Sequence, residues 1–291
     1  MAEMLRAPRK PKPSMSQLTR ISLMVIDFVI DATRRADGTL NRGVLSLLDP
    51  PVPAIPSTCA SAVVLSVDYR RTPEHRFPAP YDDGLAALKF LDDPKKHPVP
   101  LDVSRCFIAG DSAGANVAHH VARRYAANPS FFTNVRLAGL VAIQPFFGGE
   151  ERTPSELRLD SAAPIVSIAS TDWMWRAFLP PGADRTHEAA NFASPAAAAG
   201  LDCPAFPPVL LAIGGYDPLQ DWQRRYGEML RARGKSVRVV EYPNAIHGFY
   251  TIPMFDDACD LMIRIAEFIA DTGGGVRRGC SFAHSHKVHA L

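Results

Sequence analysis

No stretch of this 291-residue chain offers the roughly 18 consecutive apolar residues that a membrane-spanning helix requires. The nearest candidate, Ile21 to Ile30, is broken by Asp27 and closed by Asp31. Basic residues Arg6, Arg9, Lys10 and Lys12 precede it, as in a signal peptide. The run is short, however, charged inside, and followed by Thr33-Arg34-Arg35 instead of a small-residue cleavage site. The prolines at positions 8, 11 and 13 argue equally against an organelle transit peptide. No C-x-x-C pair occurs among the five cysteines, Cys59, Cys106, Cys203, Cys259 and Cys280. That excludes a zinc ribbon and a disulfide framework, and reads as reduced thiols in the cytosol. One-sided charge is missing too: 32 basic and 30 acidic residues leave a net charge of +2, without the basic excess of a nucleic-acid binder. There is no internal repeat. What remains is ordinary for a folded protein, 47% hydrophobic and 21% charged. The expectation is a cytoplasmic protein, with the nucleus as alternative, that binds neither nucleic acid nor membrane and needs no metal or organic cofactor.

Along the chain, residues 1–15 read as a flexible arm. Ser16–Ala36 has Leu18, Ile21, Val25, Phe28 and Val29 at helical spacing, and Asp37-Gly38 stops it. A short helix over Leu40–Leu48 and an extended linker at Pro50, Pro51, Pro53 and Pro56 complete an N-terminal lid segment, 16–60. From residue 61 to 272 the pattern is strand, helix, strand, helix, the signature of a parallel α/β sheet. Ala62–Val67, Cys106–Ala109, Leu137–Ile143, Val209–Ile213 and Val237–Glu241 are the expected strands. Ala62–Val67, rich in β-branched residues, reads as buried. Helices are expected over Tyr81–Leu91, Ala113–Tyr125, Asp221–Arg233 and Asp256–Ala270. Residues 150–195, with Trp173, Trp175 and Phe178, lack a strand pattern and read as a cap inserted over the sheet. The aromatics there suit either packing or an apolar acyl group. Residues 273–291, opening on three glycines, read as a flexible tail.

Gly110-Asp111-Ser112-Ala113-Gly114 matches G-x-S-x-G. The pattern is weak alone and strong here, because a strand precedes it and a helix follows. Such a turn lifts Ser112 above the sheet. Gly110 and Gly114 are expected to remove Cβ atoms where the chain doubles back. The following helix aims free N–H groups and its positive end at the serine, so the Ala113 N–H is a candidate oxyanion donor. Serine needs a base to act as a nucleophile. Asp217 and His247 follow the next strands in the order serine, acid, histidine used by α/β-hydrolases. Each has a plainer reading, Asp217 as a helix cap and His247 as a surface-loop residue; order and placement together favour a site. His119 and His120 lie within the helix after Ser112 and read as ordinary helix residues.

These motifs, with Ser66-Val67-Asp68-Tyr69-Arg70, Pro73 to Ala79, Tyr81-Asp82-Asp83-Gly84, Asp217-Pro218-Leu219, His247-Gly248-Phe249, Thr171 to Trp175 and Arg35 to Arg42, resemble the plant carboxylesterase group of the hormone-sensitive-lipase-like α/β-hydrolases. The resemblance implies an α/β-hydrolase fold, a mostly parallel sheet with flanking helices and a cap. It implies hydrolysis of small carboxylic esters, with Ser112 acylated, His247 as general base then acid, and Asp217 orienting His247. The group also contains the gibberellin receptors, which lack the catalytic histidine, so a hydrophobic small-ligand binder is the alternative. One departure matters. The family's His-Gly-Gly-Gly segment, which supplies the main oxyanion donors, is absent, and the Pro-rich stretch runs almost directly into Val63. By resemblance the first three strands of the sheet are lacking. Val63–Val67 and Cys106–Ala109 must then pair with each other or leave open edges.

Overall fold

The computed structural model describes residues 63–160, 162–252 and 255–272, together with Leu23, Met24 and Thr33. Leu23, Met24 and Thr33 are helical, within the helix expected over Ser16–Ala36. The expected arm, Leu40–Leu48 helix, Pro-rich linker and tail lie outside the described residues.

Four strands form one parallel sheet in sequential order: β1 (Cys106–Asp111), β2 (Leu137–Ile143), β3 (Val209–Tyr216) and β4 (Val237–Ile246). All three pairings are parallel, and parallel neighbours need crossover helices. Around the sheet run α1 (Ala79–Leu91), α2 (Ala113–Ala127), α3 (Pro154–Leu159), α4 (Ile168–Phe178), α5 (Gln220–Ala232) and α6 (Asp256–Thr272). Alternation sorts the strand side chains into two layers. Leu140 and Ala142 of β2, with Val209, Leu211 and Ile213 of β3, face Val121 and Tyr125 of α2 and Trp222, Tyr226 and Leu230 of α5. The intervening Val141 and Leu210 face Phe268 of α6. β3 is buried along its whole length, as its near-continuous apolar sequence requires of a strand covered on both faces.

Of the strand expected at Ala62–Val67, the described part, Val63–Val67, is not one. Among the described residues it has no sheet partner, and Val63, Val64 and Leu65 are 65%, 79% and 48% exposed. Nor does it pair with β1, whose only neighbour among the described residues is β2. Among the described residues β1 is therefore an edge, with Ala109 and Asp111 exposed. The reason is that β-branched residues favour a strand only against a neighbour and a packed face. Among the described residues this run has no neighbouring strand, and its one backbone bond is local, from Tyr69 N–H to Val67 O at 3.0 Å. The chain becomes anchored just beyond, at Arg70, whose backbone N–H and guanidinium both donate to the Asp83 carboxylate of α1.

Candidate active site

Parallel strands end at one rim. Ser112, Gln144, Asp217 and His247 are each the first residue after β1, β2, β3 and β4 respectively. Crevices at the carboxyl ends of such strands are where α/β proteins place ligands.

Ser112 sits on a strained turn, with φ 49° and ψ −118°, a region L-residues enter at a cost of about 1–3 kcal/mol. Backbone bonds hold it there: its N–H donates to Ile143 O at 2.9 Å, and its carbonyl accepts from Phe146 N–H at 3.0 Å. Gly110 makes the turn feasible, because a Cβ there would stand 2.2 Å from Gly114 O and 2.7 Å from Ala115 N. The expected clash at Gly114 is not found. A Cβ at that position would meet only Asp111 Oδ1, at 3.8 Å, because Gly114 already lies in α2, pointing away from the strand it leaves. Ala113 is the first residue of α2, so its N–H has no acceptor one turn back. Asp111 is exposed, and its Oδ2 accepts from the Tyr250 hydroxyl at 2.8 Å.

The three candidates meet in one hydrogen-bonded line. His247 Nε2 is 2.9 Å from Ser112 Oγ, and its Nδ1 is 2.8 Å from Asp217 Oδ2. His247 is buried, not a surface-loop residue, and Asp217 is wholly enclosed. Burial alone would lower the His247 pKa. The Asp217 charge, its hydrogen bond and the more distant Asp111 outweigh burial and raise it. Asp217 is not the helix cap: α5 starts at Gln220 with Leu219 as its N-cap and no side-chain capping bond. Asp217 Oδ1 instead accepts from Leu219 N–H at 2.9 Å in the turn before the helix.

Two side chains that the sequence reading passed over complete this carboxylate. Gln223 of α5 and Gln144 donate to Asp217 Oδ2 through Nε2, at 2.8 and 3.2 Å. Gln144 is fully buried, and its backbone is left-handed, with φ 44°. The signal was available, since Gln144 follows its strand just as Ser112, Asp217 and His247 follow theirs. A search confined to nucleophiles, acids and bases skips an amide.

His119 and His120 lie within α2, as expected, and both are fully buried on its inner face. His119 Nδ1 bonds the Tyr226 hydroxyl at 2.9 Å, and His120 stacks on the Tyr81 ring at 4.6 Å. In the cap region Trp175 is buried, 4.9 Å from the Phe146 ring, and Phe178 packs edge-on to Tyr81. Both serve packing. Among the described residues no three His, Cys, Asp or Glu side chains converge to hold a metal ion, and no helix is long and apolar enough to cross a membrane.

A family model described as alpha/beta hydrolase fold matches residues 55–251. Among curated relatives, the gibberellin receptor GID1C of Arabidopsis thaliana is 40% identical over 209 residues, covering 72% of this chain and 59% of the receptor. Carboxylesterase 20 of Arabidopsis thaliana is 38% identical over 199 residues, covering 64% of this chain and 58% of that protein. Among solved structures, an esterase of Pyrobaculum calidifontis superposes with a TM-score of 0.61 at 29% identity, covering 71% of this chain and 65% of its own. The chain spans about three-fifths of the length of the curated relatives it matches.

Proposed function

The chain belongs to the alpha/beta hydrolase fold family, and from that premise we propose that it is a serine carboxylesterase acting on small esters. The observation that carries the proposal is the continuous line Ser112 Oγ, His247 Nε2, His247 Nδ1, Asp217 Oδ2, with 2.9 and 2.8 Å at its two links. Ser112 Oγ attacks the ester carbonyl carbon while its proton passes to His247 Nε2. The tetrahedral intermediate collapses, and the alcohol leaves with the proton held on Nε2. Water then attacks the acyl-serine, gives its proton to the same nitrogen, and the acid departs as the proton returns to Oγ. Asp217 holds the imidazole in the tautomer that presents Nε2 as acceptor, and it stabilises the imidazolium.

The Ala113 N–H, at the start of α2, is the proposed oxyanion donor. The sequence has no His-Gly-Gly-Gly segment to add others. A lost donor costs about 10²–10³ in turnover, so the expected esterase is slow. The same absence favours a second reading, a binder of a hydrophobic small ligand, in line with relatives named as gibberellin receptors. In both readings residues 150–195 form the cap, and the ligand is small, with neither nucleic acid nor membrane as partner. Free Cys106, Cys203 and Cys259 fit a cytoplasmic or nuclear protein.

Hydrolysis of p-nitrophenyl acetate by the purified chain, beside Ser112→Ala, tests the esterase reading. Turnover above the Ser112→Ala rate is expected, and equal rates overturn it. Heat of gibberellin binding in calorimetry, with equal rates, would establish the binder instead.

A further inference from the structure

Among the described residues Gln144 is the one polar side chain that hydrogen-bonds both the acid and the backbone on either side of His247. Its Nε2 donates to Asp217 Oδ2 at 3.2 Å and to Ile246 O, just before His247, at 3.1 Å. Its Oε1 accepts from Gly248 N–H, just after His247, at 2.8 Å. The amide therefore brackets His247 on both sides along the chain while holding the carboxylate that His247 faces. The two bonds donated by Nε2 are fully buried, where water competes little for them, and the bond from Gly248 N–H is part-buried.

Two costs surround this side chain. Gln144 keeps φ at 44°, a conformation glycine would adopt with less strain. At the facing position Gly214, a Cβ would stand 2.4 Å from Gln144 Nε2 and 2.8 Å from Ala245 O. The fold thus tolerates strain at one residue and gives up a side chain at another to seat this amide. Gln223 also donates to Asp217 Oδ2, but no hydrogen bond joins it to the His247 loop, and its own Oε1 is buried without a partner. Among the described residues Gln144 alone ties the two.

We propose that Gln144 is a positioning residue, a staple between the ends of β2, β3 and β4 that fixes the Asp217–His247 separation and the ring orientation. The proposal rests on the esterase reading for its kinetic consequence but not for its geometric one. Rates are sensitive to such placement: a misfit of about 1 Å costs on the order of a hundredfold. The charged and titratable groups facing His247 are Asp217 and, further off, Asp111, whose Oδ2 is taken by the Tyr250 hydroxyl.

The test compares Gln144→Met, Gln144→Glu and Ser112→Ala with the parent chain, using p-nitrophenyl acetate kinetics and the far-downfield proton resonance of His247 Nδ1–H. Methionine keeps the volume and removes the amide. It is expected to lower kcat about ten- to a hundredfold with KM little changed, and to shift or erase the resonance. Glutamate keeps an acceptor for Gly248 N–H but sets a second carboxyl beside Asp217, which moves the acid limb of kcat/KM to higher pH. A folded Gln144→Met protein with parental kcat and an unmoved resonance overturns the proposal. If Gln144→Met fails to fold, Gln144→Glu decides it: an unshifted acid limb with an unmoved resonance overturns it. If the parent hydrolyses no faster than Ser112→Ala, the esterase reading fails, and the resonance of the Gln144 variants alone decides whether the staple holds.

Discussion

Ser112 Oγ and His247 Nε2 stand 2.9 Å apart although 135 residues separate them in the chain. Serine is a favoured helix N-cap, yet the Ser112 hydroxyl makes no capping bond to α2 and turns to the imidazole instead. The proposed base works only when neutral, and its pKa is raised above the ordinary 6.5 because burial, the largest single influence, is outweighed by the Asp217 charge, the Asp217 hydrogen bond and the Asp111 charge together. Esterase kcat/KM is therefore expected to rise with pH through a midpoint above 6.5. A pH–rate profile from pH 5 to 9 checks this, and a midpoint at or below 6.5 contradicts it. Asp217→Asn should lower that midpoint and cut kcat by about 10³–10⁴.

The two glycines of the nucleophile turn should respond oppositely to alanine. At Gly110 the new Cβ meets backbone atoms of Gly114 and Ala115, which no side-chain rotation relieves. A loss of at least about 2 kcal/mol is expected in urea unfolding, at the upper end of overpacking costs. At Gly114 the only contact is at 3.8 Å, and the change should stay within about 0.5 kcal/mol. Equal losses at the two positions would refute the distinction.

Stability should fall as pH drops below 6.5. Burial, aided by the Arg123 charge, lowers the His119 pKa to about 3; burial, with the His119 and Arg123 charges, pushes that of His120 well down. Below 6.5 the unfolded chain binds protons at these residues that the folded chain refuses, so each removes up to about 1.4 kcal/mol per pH unit. His247 has the opposite sign. Its raised pKa gives stability that is complete below 6.5 and is lost only as pH rises through the folded value, so it does not oppose the decline. Unfolding free energies at pH 6.5 and 5.0, below the window in which His247 contributes a change, check this. His120→Phe, which keeps a ring on Tyr81, should lose clearly less over the interval than the parent; parallel losses would count against the assignment.

The exposed run Val63–Leu65 and β1, which has one free edge among the described residues, predict self-association. An exposed apolar run of strand formers and an unpaired edge are each templates for pairing with other chains. Light scattering at tens of micromolar concentration (a range where such edges associate) should rise with time for the parent. Val64→Lys, a charge placed on the most exposed of these residues, should suppress the rise. An unchanged rise would show that another surface is responsible.

The local patterns of the sequence determined most of the sheet. β2 is the expected span, β1, β3 and β4 contain the expected runs, and α1, α2, α5 and α6 lie where the apolar spacing put them. These segments carry their own periodicity, and each found a neighbour. Ala62–Val67 carried the same signal, and its described part, Val63–Val67, has no partner among the described residues, since pairing is a property of two segments and composition reports on one. The candidate residues Ser112, Asp217 and His247 were legible because each is a reactive type just beyond a strand; their convergence required the common direction of four parallel strands. Only the tertiary structure decided that Gly110 and not Gly114 is sterically required, that His119 and His120 are enclosed, and that Gln144 joins the acid to the histidine loop. Each depends on distances between residues remote in the chain, set by how strands and helices pack, and no local pattern encodes them.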